Sequence, residues 1–290
     1  MPEFTVATRA SSLARAQTGW VRGHLSRLLG AEVGEVLVTS EGDVSDAALT
    51  SFGGQGVFVA RVREAVIEGR ADAAVHSMKD LPTAVDDRTV IAAVPLREDT
   101  RDFLVTTHDG LDGLPHGASV GTGSPRRVAY LRRCRPDLKV VAIRGNVDTR
   151  VARVTDGDLD AVVVASAGLR RLGATPPGVP LEDDEMLHAV GQGALAVEMR
   201  ADDPRLSAVA GLDDARTRAE VTAERALLAG LRAGCSAPVA AAASAAGDHV
   251  ELRAAVLSLD GSQMYECTMT GPLSDAEGVG RRAAELLIGQ

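Results

Sequence analysis

Short apolar runs alternate with segments of helical periodicity over the first two thirds of the chain. Runs of this length indicate buried strands, and apolar residues repeated every three or four positions indicate helices. Alternating strands and helices are typical of an α/β fold with a mostly parallel sheet. The predicted strands are Phe4–Thr8, Val33–Val38, Ala73–Val75, Val90–Val94, Phe103–Thr106, Ser119–Gly121, Val140–Ile143 and Asp160–Ala165, and the predicted helices include Leu13–Leu29 and Phe58–Ile67.

Two segments divide these elements into two lobes. Pro95–Arg101 reads as a crossover, and Phe103 then begins a second set of strands. Ala189–Glu198 combines tight turns with an apolar run, which predicts a return of the chain to the first sheet. Gly178–Glu185 is rich in proline and acidic residues and is predicted to be a linker or surface loop.

The last part of the chain has a different pattern. A long amphipathic helix is predicted over Asp213–Ala233, with Gly234 as its C-cap. Three apolar runs then precede a closing helix, and Asp260-Gly261 between the last two runs is a strong hairpin signal. This part is predicted to be α+β with a three-stranded antiparallel sheet. The predicted domains are residues 1–95 with 195–212, residues 96–194, and residues 213–290; the three runs are Val239–Ala245, His249–Leu257 and Gln263–Thr270, and the closing helix is Ser274–Ile288.

Composition excludes several classes of protein. The chain has 290 residues, a net charge of −9 and 2% aromatic residues, which disfavours a nucleic-acid partner. No apolar run approaches the roughly 20 residues that span a bilayer, and Met1–Phe4 lacks a signal-peptide pattern. Cys134, Cys235 and Cys267 have neither disulfide-framework nor zinc-site spacing. A cytoplasmic protein without metal or membrane partner is expected, and a monomer, since no large apolar stripe is left over.

Positive charge recurs where predicted strands end. Arg9 follows the first strand, and Ser11 or Ser12 caps the helix after it. The heptapeptide His76–Pro82 (HSMKDLP) follows a buried run and holds Lys79, one of only two lysines beside 29 arginines. Between Gly121 and Arg153, nine Lys or Arg against two Asp give a local charge of +7.

These cations favour a polyanionic small-molecule ligand. Arg126 and Arg127 stand in the first turn of a predicted helix, where positive charge opposes the helix dipole. Arginine binds carboxylates bidentately, so a polycarboxylate fits well, and a phosphate ligand stays open. An exposed ion pair is the alternative at Lys79-Asp80. The solvated face of a helix accounts for Arg132, Arg133 and Arg135, and Cys134 and Cys267 are interpreted as packing thiols.

Five motifs together resemble the porphobilinogen deaminase (hydroxymethylbilane synthase) family over nearly the whole chain. They are ATR-x-S at 7–11, AVHSMKDLP at 74–82, VGT-x-S-x-RR at 120–127, RGNV-x-TR at 144–150 and AVGQG at 189–193. The resemblance implies two lobes like a bacterial periplasmic binding protein, followed by a third domain with an open antiparallel sheet. It also implies the head-to-tail joining of four porphobilinogens with loss of ammonia, through oligopyrrole intermediates, and release of hydroxymethylbilane in the tetrapyrrole (haem) pathway.

The resemblance also assigns roles to residues. A covalent dipyrromethane cofactor is expected on Cys235, in a loop of the third domain, and Asp80 is expected to be the catalytic carboxylate. The expected cofactor-binding residues are Lys79, Ser124, Arg126, Arg127 and Arg144, and the expected substrate-binding residues are Arg9, Ser11, Arg150, Arg171, Gln17 and Phe58.

The sequence departs from the family pattern at two positions. Gln55 replaces the usual lysine of a Gly-Gly-Lys-Gly segment in a predicted mobile loop, and Ala233 replaces the first glycine before the cysteine.

There are two alternative functions. A two-lobed anion-binding protein would share the first two domains, but this function gives no reason for a third domain. A regulator with a ligand-sensing domain is disfavoured by the lack of a helix-turn-helix pattern.

Overall fold

The computed structural model describes residues 3–38, 55–234 and 237–289. The chain divides into two compact units, residues 1–97 with 194–218 (unit 1) and residues 98–193 with 219–290 (unit 2). The three-domain partition stays a prediction. The strands and helices are β1 (Phe4–Arg9), α1 (Ser12–Leu29), β2 (Val33–Val38), α2 (Gln55–Ile67), β3 (Ala73–Ser77), β4 (Thr89–Ala93), β5 (Asp102–Thr106), β6 (Ser119–Gly121), α3 (Pro125–Cys134), β7 (Lys139–Val141), α4 (Val147–Thr155), β8 (Ala161–Ala165), α5 (Ser166–Leu172), β9 (Gly178–Leu181), β10 (Leu195–Arg200), α6 (Leu206–Val209), α7 (Ala215–Gly230), β11 (Val239–Ala246), β12 (His249–Leu257), β13 (Met264–Pro272) and α8 (Ala276–Ile288).

Unit 1 contains a five-stranded sheet in the order β2-β1-β3-β10-β4. β1 is parallel to β2 and β3, as predicted, but β10 is antiparallel to both of its neighbours. The prediction of a mostly parallel sheet is therefore wrong for half of this sheet, because β10 enters it only after the chain has passed through unit 2. One apolar cluster joins β1 to α1, and another joins β1 to α2, so a helix covers each face of the sheet.

Helix α1 begins as the sequence predicts. Ser11 is its N-cap, and the Ser11 hydroxyl accepts a hydrogen bond from the backbone N–H of Ala14. Gly30 ends the helix in the left-handed conformation. The only tryptophan of the chain, Trp20, lies on the outer side of α1, where its ring stacks on His24 with a centroid distance of 4.0 Å.

The first sheet of unit 2 has the order β7-β6-β8-β5-β9. β6 is parallel to β7 and β8, whereas β5 is antiparallel to β8 and β9. The prediction of a loop over Gly178–Glu185 is wrong for its first four residues, which form β9. Pro180 is compatible with this strand because β9 is at the sheet edge, where no ladder hydrogen bond from its nitrogen is needed.

The C-terminal sheet has the antiparallel order β11-β12-β13, and each of its two faces contacts a different apolar cluster. Ala240 pairs with Ala255, and both belong to an apolar cluster with α3. The next pair, Ala241 with Ala254, belongs to a cluster with α7 and α8. This alternation is the two-residue period of a strand, and it explains why alanine-rich β11 forms a strand at all.

Two further predictions need correction. Helix α7 ends at Gly230, four residues before the predicted Gly234 cap. Cys134 is exposed and is not a packing thiol, whereas Cys267 is half-buried in the cluster beside α8. The α/β sheets and the three-stranded C-terminal sheet confirm the predicted fold class. None of the helices in the described ranges has the length and apolarity to cross a bilayer.

The hairpin between β12 and β13 provides a test of this packing. Gly261 has φ +75°, and a Cβ placed there would lie 2.6 Å from the Ala129 carbonyl oxygen and 2.7 Å from the Arg133 nitrogen of α3. We expect Gly261→Ala to cost clearly more stability than Gly247→Ala, which has φ +57° but open space around it. Gly247→Ala, the control, should lower the free energy of unfolding by about 1–2 kcal/mol for the left-handed backbone alone. Urea unfolding measures both, and equal losses would contradict the close approach.

Candidate active site

The predicted site residues of unit 1 gather at one edge of its sheet. Arg9 ends β1, and Lys79 and Asp80 follow β3, the parallel neighbour of β1. Strands that run parallel end at the same edge, which is where ligands bind in α/β sheets. Gln17 is buried on α1, and its side-chain amide donates to the Ser77 hydroxyl at 2.9 Å, tying α1 to the end of β3.

Asp80 lies in a single 3-10 turn, Met78–Asp80. Met78 anchors this turn: its side chain is buried, and its N–H donates to the carbonyl of Ala194 at 3.0 Å. The Leu81 N–H donates back to the Met78 carbonyl at 3.2 Å and closes the turn. Asp80 is half-buried, and within the described ranges its carboxylate accepts no hydrogen bond or ion pair. A fixed backbone therefore presents a carboxylate that is ready to bind a ligand N–H.

A second carboxylate is buried behind this turn. Glu198 of β10 accepts hydrogen bonds from Arg63 Nε at 2.8 Å and from the Thr89 hydroxyl at 2.7 Å, and pairs with His76 Nε2 at 3.0 Å. Burial raises the pKa of Glu198, but these partners outweigh burial and leave the pKa below its ordinary value. Since His76 belongs to β3 and Arg63 to α2, Glu198 joins the strand before Asp80 to the helix that contains Phe58.

In unit 2, Arg126 and Arg127 are buried at the start of α3. Ser124 is the N-cap of this helix, and its hydroxyl accepts no capping hydrogen bond. Arg126 donates to Asp102 Oδ2 at 2.7 Å and to the Leu187 carbonyl at 2.6 Å. Arg127 donates to Asp102 Oδ1 through Nε at 3.1 Å and Nη2 at 2.7 Å, and to the Val163 carbonyl at 2.8 Å. The sequence did not predict this internal partner for the two cations.

Asp102 is completely buried at the first position of β5. Burial alone would raise the pKa of Asp102, but the charges of Arg126 and Arg127 outweigh it and hold the pKa well below its ordinary value. The side-chain amide of Gln192 adds a hydrogen bond to Asp102 Oδ1 at 2.8 Å. Burial lowers the pKa of Arg126, and the Asp102 charge opposes this effect. The carboxylate thus stays ionised at neutral pH.

Three further predicted arginines of unit 2 follow strand ends. Arg144 is exposed after β7 and has no hydrogen bond or ion pair within the described ranges. Arg150 donates to the Gly145 carbonyl at 2.9 Å, and Arg171 donates to the Gly193 carbonyl at 2.6 Å. Burial, and then the charge of Arg127, lower the pKa of Arg150. Burial lowers the pKa of Arg171 to about 10, so Arg171 remains a cation at neutral pH.

Cys235 lies outside the described residues, as does most of the glycine-rich loop before α2. Phe58 lies on α2, and nothing further is described of its side chain. Around the cysteine, α7 ends at Gly230 and β11 begins at Val239. Glu224 of α7 is buried and accepts from the N–H groups of Gly191 at 2.7 Å and Ala243 at 3.1 Å. This carboxylate therefore fixes both elements that flank the cysteine segment. No group of three or more His, Cys, Asp or Glu in the described part could hold a metal ion.

Two family models match most of the chain. The one described as "Porphobilinogen deaminase, dipyromethane cofactor binding domain" matches residues 4–208, and "Porphobilinogen deaminase, C-terminal domain" matches residues 218–289. The chain belongs to the porphobilinogen deaminase family.

Relatives in this family are similar over nearly their full length. Porphobilinogen deaminase 1 of Streptomyces coelicolor is 48% identical, with 97% of this chain and 94% of the relative covered. The porphobilinogen deaminase of Mycobacterium avium is 51% identical, covering 97% and 93%, and that of Acidothermus cellulolyticus is 50% identical, covering 98% and 88%. Among solved structures, a methionine-binding protein aligns over 72% of this chain and 89% of its own with TM-score 0.43 and 11% identity, too weak a likeness to support a conclusion.

The residues present fit the dipyrromethane cofactor of the family. Such a group brings several carboxylates, so it needs cations in excess of local acids. In unit 2, Arg126 and Arg127 share the single carboxylate of Asp102, which leaves one net positive charge. Arg126 Nε is also buried without a hydrogen-bond partner among the described residues. Arg144 adds an exposed cation. This donor set suits a ligand with several carboxylates.

The sequence did not predict roles for Asp102, Glu198 or Gln192, although Gln192 belongs to the AVGQG motif at 189–193. A signal was present for the two acids. Asp102 directly precedes the apolar run Phe103–Thr106, and Glu198 stands inside the apolar strand Leu195–Met199. An acidic residue in a buried strand requires a partner. In this member of the deaminase family, that partner is an arginine from a helix in both cases.

Asp102 should give the stability of the chain a pH dependence of known sign. A carboxyl group whose folded pKa is lowered adds stability above its unfolded pKa of about 3.9 and loses it as the pH falls. We expect Asp102→Asn to cost about 3–5 kcal/mol at pH 7, since two buried cations lose their partner.

The loss should shrink below pH 4, by up to about 1.4 kcal/mol per pH unit, because the wild-type carboxylate then takes up a proton. Urea unfolding of the wild type and of Asp102→Asn between pH 3 and pH 7 measures this loss in the free energy of unfolding. Parallel pH curves for the two proteins would contradict the assignment of Asp102 as the titrating group.

Proposed function

We propose that this chain is a hydroxymethylbilane synthase that joins four porphobilinogen molecules head to tail, releases ammonia at each step, and frees the product by hydrolysis. Family membership over nearly the full chain supports this reaction. The carrying observation is Asp80, a carboxylate without a partner in the described structure, held by a fixed turn beside Lys79. The match over residues 218–289 also accounts for the part that a two-lobed anion-binding protein leaves unexplained.

The proposed role of Asp80 is to bind a pyrrole N–H and to stabilise positive charge. When ammonia leaves the aminomethyl group of porphobilinogen, positive charge develops on the pyrrole that remains. A carboxylate at hydrogen-bond distance stabilises this charge more than it stabilises the neutral substrate, which is the requirement for catalysis. The cation beside it, Lys79, is proposed to bind a carboxylate arm of the cofactor.

The cofactor is proposed to be attached to Cys235. When bound, a dipyrromethane supplies the free pyrrole carbon to which the first substrate molecule is joined. Each added ring brings an acetate and a propionate arm, so the chain's arginines are proposed to bind carboxylates as the product grows. The cofactor-binding residues are proposed to be Lys79, Ser124, Arg126, Arg127 and Arg144, and the substrate-binding residues Arg9, Ser11, Gln17, Phe58, Arg150 and Arg171.

The finer organisation is also part of this proposal. We infer three domains, with residues 1–95 and 195–212 in the first, 96–194 in the second and 213–290 in the third. The unit boundaries at 97–98 and 193–194 support the first division. A cytoplasmic monomer without a nucleic-acid partner is proposed, and the acidic composition, with a net charge of −9, supports the absence of a nucleic-acid partner.

Intact mass tests the cofactor and its position. We expect the wild type, after incubation with porphobilinogen, to exceed its sequence mass by at least two pyrrole units, and Cys235→Ala to show no addition. Cys134→Ala is the matched control, because Cys134 is the exposed cysteine of the described structure and should leave the addition unchanged. A wild type that stays at its sequence mass, or an addition that disappears with Cys134, would refute the proposal.

Asp80→Asn tests the carboxylate itself. We expect kcat to fall on the order of 10²- to 10³-fold, as when a group that stabilises transition-state charge is removed. The free energy of unfolding should stay unchanged, since the Asp80 carboxylate has no partner within the described structure to lose. Asp87→Asn, an exposed acid of the same segment, is the control and should retain full activity. Near-wild-type kcat in Asp80→Asn would rule out the catalytic role.

A further inference from the structure

The carboxylate of Asp102 contacts both arginines at the start of α3. Oδ2 accepts from Arg126, and Oδ1 accepts twice from Arg127. Each guanidinium also donates to one backbone carbonyl, Arg126 to Leu187 and Arg127 to Val163. Both side chains are thus held from two directions, although an arginine side chain otherwise samples many rotamers.

We propose that Asp102 is a positioning residue, which fixes the two guanidinium planes in the orientation that receives the cofactor's carboxylates. This inference rests on the proposed function. A guanidinium binds a carboxylate through two parallel N–H donors, so its plane and direction decide whether the bond forms. Because Asp102 occupies only one edge of the Arg126 guanidinium, Nε of Arg126 remains without a partner among the described residues.

A purely structural role would be different. In that case Asp102 would only offset buried positive charge, and any carboxylate in the same cluster would serve equally well. The two roles can be separated because charge and geometry can be changed independently in this cluster. Gln192 allows charge and geometry to be changed independently, because its amide nitrogen lies 2.8 Å from Asp102 Oδ1.

Gln192 is itself held in a fixed turn. Gly191 and Gly193 on either side have φ +71° and +83°, and the Gly191 N–H donates to Glu224. The Gln192 amide also donates to the Thr100 carbonyl at 2.8 Å. A glutamate at 192 would therefore place a carboxylate beside residue 102, but displaced from the edges of the arginines.

The experiment compares four variants with the wild type. Asp102→Asn removes the charge and places an amide donor among arginine donors. Asp102→Asn combined with Gln192→Glu exchanges the amide and the carboxylate, so that the total charge of the cluster is preserved. Gln192→Leu removes one donor and leaves both arginine bonds. Asp160→Asn is the matched control, since the Asp160 carboxylate accepts hydrogen bonds from Ser119 of the same sheet and, among the described residues, from no arginine.

Each protein is incubated with porphobilinogen, and intact mass gives the fraction that carries at least two added pyrrole units on Cys235. The melting temperature of the protein before loading is measured in parallel by circular dichroism. We expect loading of Asp102→Asn to fall at least tenfold. The exchange variant should regain melting temperature but not loading, whereas Gln192→Leu should melt earlier yet load like the wild type.

Two results would overturn the proposal. One is wild-type loading in Asp102→Asn, and the other is loading that follows melting temperature across the whole set, including recovery of both in the exchange variant. If Asp102→Asn does not accumulate as folded protein, the exchange variant and Gln192→Leu still distinguish the positioning role from the purely structural one. A wild type without added mass would refute the proposed function instead, which keeps the two failures distinct.

Discussion

Two arginine side chains enter the interior of unit 2 at the first turn of α3, and the carboxylate of Asp102 makes their burial possible. An unpaired buried cation costs several kcal/mol, on the order of 3–5 when a partner is removed. The start of β5, the turn at Gly191–Gly193 and the start of α3 must therefore meet at one point. Arg171, another predicted anion binder, contacts the same turn through its hydrogen bond to the Gly193 carbonyl.

Unit 1 contains the same kind of buried ion pair, formed by different residues. Glu198 is buried in β10 and accepts from Arg63 of α2, as Asp102 accepts from the arginines of α3. In both units a strand carboxylate binds a helix arginine, and the ionised pair links a helix to the sheet. In unit 1 the polar residues that follow β3 then remain at the sheet edge, where Asp80 has no partner in the described structure. In unit 1, the buried ion pair and the unpaired carboxylate of Asp80 at the edge are thus different residues.

Much of this could be predicted from sequence, because local rules act on neighbouring residues. The Ser11 cap, the Pro125 start of α3 and the hairpin at Asp260-Gly261 follow from propensities that need no tertiary knowledge. The antiparallel pairing of β10 and the edge strand β9 could not be predicted, because the direction of strand pairing depends on residues that are far away in the sequence. The position of Asp102 beside an apolar run indicates that it needs a partner, but the partners themselves could not be predicted, because they are 24 and 25 residues away.

The position of Trp20 has a consequence for spectroscopy. It is the only indole of the chain, it belongs to α1 of unit 1, and its ring is partly in water against the imidazole of His24. Intrinsic emission excited at the red edge therefore monitors unit 1 alone. Far-ultraviolet dichroism instead averages over all helices and strands. A difference between the two melting curves would therefore report whether the two units unfold together.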